Sequence, residues 1–150
     1  MTSLKPHTPI AEANLDHDEK LIILMLQKVD RIKFRLSSVT NAEGVTPQQY
    51  NILRILRGAG EKGLPTLEIG NRMLEQSPGI TRLIDRLELK KLVERKRTKE
   101  DRRMVHCIIT KNGIKVLNKL EKPISDFHAE VTADLTDKEI EQFISNLSKL

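Results

Sequence analysis

The stretch SPGITRLIDRLELKKLVERKRTKEDRRMVHCII, Ser77 to Ile109, changes its hydrophobic period once along its length, and that change decides the fold. In its first part Ile80, Leu83, Ile84 and Leu87 share one helical face, while Ser77, Gly79, Thr81, Arg82 and Arg86 occupy the rest of the circumference. Ser77 followed by Pro78 is a helix-opening signal, a capping hydroxyl with proline in the first turn. From Val93 the period becomes two. Val93, Arg95 and Arg97 on one strand, and Val105, Cys107 and Ile109 on another, flank a polar tip at Lys99 to Arg102. The stretch predicts a helix followed by a β-hairpin with a long, basic loop.

Working upstream, Thr66 can cap a short helix carrying Leu67, Ile69, Met73 and Leu74, so that two helices meet at a tight turn before Pro78. Thr46 and Pro47 open a helix with Tyr50, Leu53, Ile55 and Leu56, stopped by the glycines at 58, 60 and 63. Before it, Leu15, Ile22, Met25, Leu26, Val29, Ile32 and Leu36 follow helical spacing over about six turns. Within that helix LIILML, Leu21 to Leu26, is apolar all round, which implies burial on more than one face and points to a second subunit. Downstream, TKNG (Thr110 to Gly113) starts a helix through Val116, Leu117, Leu120 and Ile124, with Pro123 expected to bend it. A last helix, capped at Thr136 with Glu139 at the capping-box position, carries Ile140, Phe143, Ile144 and Leu147.

The order is long helix, helix, helix-turn-helix, β-hairpin, two helices. The expected fold is therefore mainly α with a small β-hairpin: a winged helix-turn-helix over residues 45–109, flanked by a helical dimerisation lobe built from residues 10–40 and 110–150, in one chain of 150 residues.

A hydrophobic content of 38% against 31% charged residues is that of a folding domain. A single cysteine cannot close an internal disulfide, the longest apolar run falls far short of a membrane span, and MTSLKPHTPI lacks a signal-peptide pattern. A soluble cytoplasmic protein without membrane contact is expected. The net charge of +5 is localised: from Arg72 to Arg103 eleven Lys or Arg stand against six Asp or Glu, so the whole excess sits in that window and the rest of the chain is balanced. Clustered cations of this kind suit a polyanion, whose counterions they release, although a solvated charged face reads the same way.

Short polar residues at the start of the helix opened by Ser77 would let that end approach a duplex, its free N–H groups favouring a phosphate, and Arg82 is long enough to reach guanine O6 and N7. The alternative is that Arg82 and Arg86 pair with Asp85, Glu88 or neighbouring acids on a solvated helix. The hairpin favours the first reading, because its strands hold Lys99, Arg102 and Arg103 clear of the body, as a wing reaching phosphates or a narrow minor groove requires.

The chain has no Gly-rich phosphate loop, HExxH, CxxC or Gly-x-Ser-x-Gly motif, and its histidines are scattered, so neither an enzyme nor a cofactor is expected. In DHDE (Asp16 to Glu19) consecutive residues of a helix face different ways, which favours a solvated helix start over a metal site. Cys107, on the inward alternation of its strand, reads as a buried structural thiol rather than a redox sensor.

Four stretches together, VTPQQYNILRIL (Val45 to Leu56), SPGITRLIDRLELKKLVER (Ser77 to Arg95), DRR (Asp101 to Arg103) and TKNG, resemble the MarR family of bacterial transcription regulators, dimeric winged helix-turn-helix proteins. The likeness runs from the first helix to the last. It implies that residues 77–86 form a recognition helix in the major groove, with Ser77, Pro78, Gly79, Thr81, Arg82 and Arg86 facing DNA. The wing contacts would be Arg97, Lys99, Asp101, Arg102 and Arg103, with Arg103 in the minor groove and Asp101 orienting it. The resemblance further implies a homodimer on a pseudo-palindromic operator, acting as a repressor released by a small aromatic or anionic effector. Tyr50 and Phe34, with Phe127 and Phe143, are candidates for lining the effector's site, though apolar residues at helical spacing usually form core. An activator or architectural DNA-binder, or a winged helix that meets an acidic protein, are the alternatives. The sequence departs from the family at Lys91, where glycine is common and a left-handed helix cap is less comfortable for lysine.

Overall fold

The computed structural model describes residues 15–74, 79–97 and 104–150. Its elements are α1 (His17–Asn41), α2 (Pro47–Ala59), a 3₁₀ turn (Gly60–Lys62), β1 (Leu64–Pro65), α3 (Thr66–Arg72), α4 (Ile80–Leu89), β2 (Val93–Arg97), β3 (Val105–Ile109), α5 (Lys111–Val131) and α6 (Asp137–Leu147). The chain divides into two compact units, one ending at Phe34 and the other running from Arg35 to Leu150.

In the first unit no described residue is buried: Ile22 is 53% exposed, Leu26 66% and Phe34 64%. Among the described residues of this unit, most of the apolar run in α1 is exposed.

In the second unit α2 is the central helix, packing against α3, α4, α5 and β3. Thr46 and Gln49 form a full capping box spanning Pro47, so α2 starts where the proline signal places it. Ile52, Leu53 and Leu56 of α2 are completely buried with Ile69 of α3, Ile84 and Leu87 of α4, and Leu117 and Leu120 of α5. Burial of this kind stabilises by about 1.5–3 kcal/mol per large side chain before the ordering entropy is subtracted. In α3 only Ile69 joins this core fully. Leu67 and Leu74 are 77% and 85% exposed.

The two expected strands pair, with Val93 opposite Ile109, Arg95 opposite Cys107 and Arg97 opposite Val105. A third strand joins it: β1 pairs antiparallel with β3, giving the order β1-β3-β2. Gly63 makes this approach feasible. It adopts φ +59°, and a Cβ there would lie 2.2 Å from the Cys107 carbonyl oxygen. Thr66 begins α3 rather than capping it. Pro65 is the cap residue, and the Thr66 hydroxyl instead meets the Cys107 thiol at 3.9 Å.

Helix α5 continues past Pro123 to Val131. Thr110 caps it, its hydroxyl accepting from the Gly113 N–H at 3.1 Å. Gly113 also lets the helix start close to the sheet, since a Cβ there would lie 2.4 Å from the Leu92 carbonyl oxygen. The predicted capping box of Thr136 and Glu139 opens α6, whose Phe143, Ile144 and Leu147 remain exposed.

Candidate nucleic-acid interface

Helix α4 sorts its faces as the spacing demands. Leu83, Ile84 and Leu87 are buried and Ile80 packs partly against them, while Thr81, Arg82, Asp85 and Arg86 are exposed. Gly79 is the cap residue and its carbonyl accepts from the Leu83 N–H at 3.0 Å, so α4 begins at Ile80, three residues after the expected start at Ser77. Ser77 and Pro78 lie outside the described residues, as do Lys99, Asp101, Arg102 and Arg103 of the expected wing tip.

The C-terminal end of α4 is closed by a double hydrogen bond, Leu92 N–H to the Leu87 carbonyl at 2.9 Å and Lys91 N–H to the Glu88 carbonyl at 2.8 Å. Such a closure needs a left-handed residue between the two, and Lys91 supplies it at φ +58°. The turn is thus the one a glycine would favour, built with lysine. Thr110 holds it from outside: its hydroxyl donates to the Lys91 carbonyl at 2.8 Å and its N–H to the Leu92 carbonyl at 3.0 Å. The TKNG segment and the end of α4 therefore lock together.

The acids of α4 are engaged by the wing. Arg95 lies on the same face of β2 as Val93 and is only 26% exposed at its side chain. Its guanidinium donates to Asp85 at 2.6 Å and, from its other terminal nitrogen, to Glu88. The bond to Asp85, helped by Glu88 against the cost of partial burial, holds the guanidinium above its ordinary pKa. Lys96 pairs with Glu94 of the same strand at 2.6 Å. Asp85 and Glu88 thus pair with Arg95, while Arg82, Arg86 and Arg97 make no ion pair with another described residue. A charge-assisted fork of this kind joins helix and wing and offsets one of the two carboxylate charges that would otherwise repel a polyanion.

Arg95 entered the sequence reading only as one of many wing cations. The signal that could have singled it out is the alternation placing it on the Cys107 face of the hairpin, together with acids three residues apart on α4. Cys107 is fully buried, and burial pushes its thiol pKa up, which is the behaviour of an inert thiol.

Of the candidate effector residues, Tyr50 packs partly against the core with the Arg54 guanidinium 5.8 Å from its ring centroid, and Phe34 is exposed in the first unit. Phe127 is buried in the second unit, and Arg35 stands 5.6 Å from its ring centroid. Phe143 is 56% exposed. Among the described residues no cluster of His, Cys, Asp or Glu has the arrangement to hold a metal ion, and no helix is long and apolar enough to cross a membrane.

Comparison with known proteins agrees with this architecture. The MarR family model matches residues 43–104. The chain is 28% identical over 131 residues to the HTH-type transcriptional regulator MhqR of Bacillus subtilis, covering 87% of this chain and 89% of that protein. Among solved structures, a MarR transcription factor from Planctomyces limnophilus is 32% identical with a TM-score of 0.69, covering 92% of this chain and all of the other. A mutant MarR from E. coli complexed with operator DNA has a TM-score of 0.77 at 24% identity, covering 90% of this chain and 98% of the other, a likeness of fold.

Proposed function

The chain belongs to the MarR family of DNA-binding transcriptional regulators, and from that premise we propose that it is a homodimeric, sequence-specific repressor that reads a pseudo-palindromic operator. The observation that carries the reading is the outer face of α4. Thr81, Arg82 and Arg86 are exposed there, and the acids beside them, Asp85 and Glu88, are both paired with Arg95. A helix with this face can enter a major groove, Arg82 forking onto a guanine while Arg86 and Arg97 meet phosphates. Lys99, Arg102 and Arg103 of the wing, with Asp101 orienting Arg103, would add the flanking minor-groove contact.

Dimerisation is supported by apolar surface that the single chain leaves open: Leu21, Ile22, Leu26 and Phe34 on α1, and Phe143, Ile144 and Leu147 on α6. Residues 10–40 and 110–150 would supply this lobe, and residues 45–109 the reading head. Two heads related by a two-fold axis recognise half-sites about one helical turn, roughly 34 Å, apart. An operator so covered is closed to transcription, and a small aromatic or anionic ligand that prefers another head spacing releases it by its differential affinity for the two states. Tyr50 and Phe34 are the aromatic residues proposed to meet it. Such a regulator works in the cytoplasm, where the DNA is.

The test is selection from a random duplex library with the purified protein. Recovered sequences should share two inverted half-sites one turn apart, bound by two chains. A pool without a consensus would remove the sequence-specific reading, and a consensus lacking inverted repeats would remove the two-fold dimer.

A further inference from the structure

The residue just beyond α4 makes contacts that neither the helix end nor a DNA-facing role explains. The Lys90 ammonium donates to the Gly44 carbonyl at 2.6 Å and to the side-chain oxygen of Gln49 at 3.2 Å. That oxygen also accepts the Thr46 N–H at 3.2 Å, and Gln49 is 2% exposed, so Lys90 reaches the buried member of the capping box that starts α2. The backbone of Lys90 is already satisfied, its N–H donating to the Arg86 carbonyl at 3.2 Å. The side chain is therefore not needed to close the helix. The turn it grips is held on its other flank, where Glu43 pairs with Lys119 of α5 at 3.1 Å.

We infer that Lys90 is a positioning residue for DNA reading: it pins the C-terminal end of α4 to the first turn of α2 and so sets the angle at which the recognition helix meets the duplex. The inference rests on the reading of α4 as the recognition helix. Its physical ground is a difference in directionality. Leu83, Ile84 and Leu87 hold α4 to the core by apolar burial, which resists separation but resists sliding and rotation weakly. Hydrogen bonds from one ammonium to two fixed oxygens restrict both. The lever is long, since a ten-residue helix spans about 15 Å, and a tilt of about 10° at its C-terminal end moves its N-terminal end by roughly 2.5 Å. Side chains such as Arg82 make bidentate base contacts only within a much smaller tolerance, whereas phosphate attraction survives such a shift. Losing the pin should therefore cost discrimination more than attraction.

The experiment compares wild type, Lys90→Met and Lys90→Arg in the full chain, each checked by circular dichroism and urea unfolding. Anisotropy titrations over a salt series use the duplex that wild type selects from a random library and a scrambled duplex of equal length. For Lys90→Met the expected result is a fall of about tenfold in the affinity ratio of the two duplexes, comparable to one mismatched base pair, at an unchanged salt slope. Lys90→Arg, which keeps charge and reach, should recover most of the ratio. An equal loss on both duplexes with the salt slope reduced by about one would make Lys90 a phosphate ligand and overturn the inference. An unchanged ratio beside lowered unfolding stability would overturn it in favour of a purely structural bond. If wild type itself does not distinguish the duplexes, the DNA-reading assignment fails and takes this inference with it, an outcome visible before any variant is compared.

Discussion

Replacing Lys91 with glycine should make the protein more stable although it removes a side chain. Lys91 sits at φ +58°, where an L side chain costs about 1–2 kcal/mol relative to glycine. Glycine in turn loses more chain entropy on folding, about 0.5–1 kcal/mol. The side chain is exposed and pairs with no acid among the described residues, so little else changes in the folded state. The expected net gain is about 0.5–1 kcal/mol, equivalent to roughly 1–4 °C in Tm for a chain of this size. Urea unfolding at fixed protein concentration measures it, as a raised midpoint at unchanged m-value. Lys91→Ala is the control, because it removes the same side chain and keeps the strained φ; it should gain nothing. Equal stability of the two variants, or a loss in Lys91→Gly, would refute the argument that the left-handed turn is strained.

Three further outcomes follow, two from the packing and charge around the same turn and one from the cap of α6. Gly113→Ala should destabilise by about 3 kcal/mol in urea unfolding, since its Cβ would meet the Leu92 carbonyl oxygen at 2.4 Å and Ile109 Cγ1 at 2.7 Å. Arg95→Met should cost only about 1 kcal/mol of stability yet weaken DNA binding about tenfold or more in anisotropy, because Asp85 and Glu88 would then face the phosphates without a paired cation. The Glu139 carboxyl is held below its ordinary pKa by the Thr136 N–H first and the Thr136 hydroxyl second. Its capping contribution is therefore present above the unfolded pKa and lost as pH falls through the folded value. Thr136→Ala removes the hydroxyl and should raise that pKa in an NMR titration, while an unmoved value would show that the hydroxyl plays no part.

What the sequence disclosed and what it withheld divide along the range of the interactions. The capping box at Thr136, the start of α2 at Thr46 and Pro47, and the two strands of the β2–β3 hairpin all depend on residues close in the chain, and they were legible from spacing. Strand β1 was not, because two residues carry no periodicity and its partner Cys107 lies over forty residues away. The same distance hid the true partner of Thr66, whose hydroxyl meets that cysteine instead of capping α3. Nor did the apolar residues of that stretch say which would be covered: of Leu67, Ile69, Met73 and Leu74 only Ile69 is fully buried. At the candidate interface the faces of α4 were readable from periodicity. The ion pairs of Arg95 and the grip of Lys90 on Gly44 and Gln49 were not, because a long cation names its partner only after the chain has folded. Lys91 shows how both kinds of signal meet: the left-handed turn was legible as a position, and the structure keeps it with a residue that pays in strain.

The most direct test of α4 as a sequence reader is the affinity of wild type and Arg82→Ala for the library-selected duplex and a scrambled one, with excess unrelated competitor. Wild type should bind the selected duplex tightly and resist the competitor. Arg82→Ala should lose about 1–3 kcal/mol on the selected duplex and far less on the scrambled one. Equal losses on the two duplexes, or no loss on either, would contradict the claim that the exposed face of α4 reads bases.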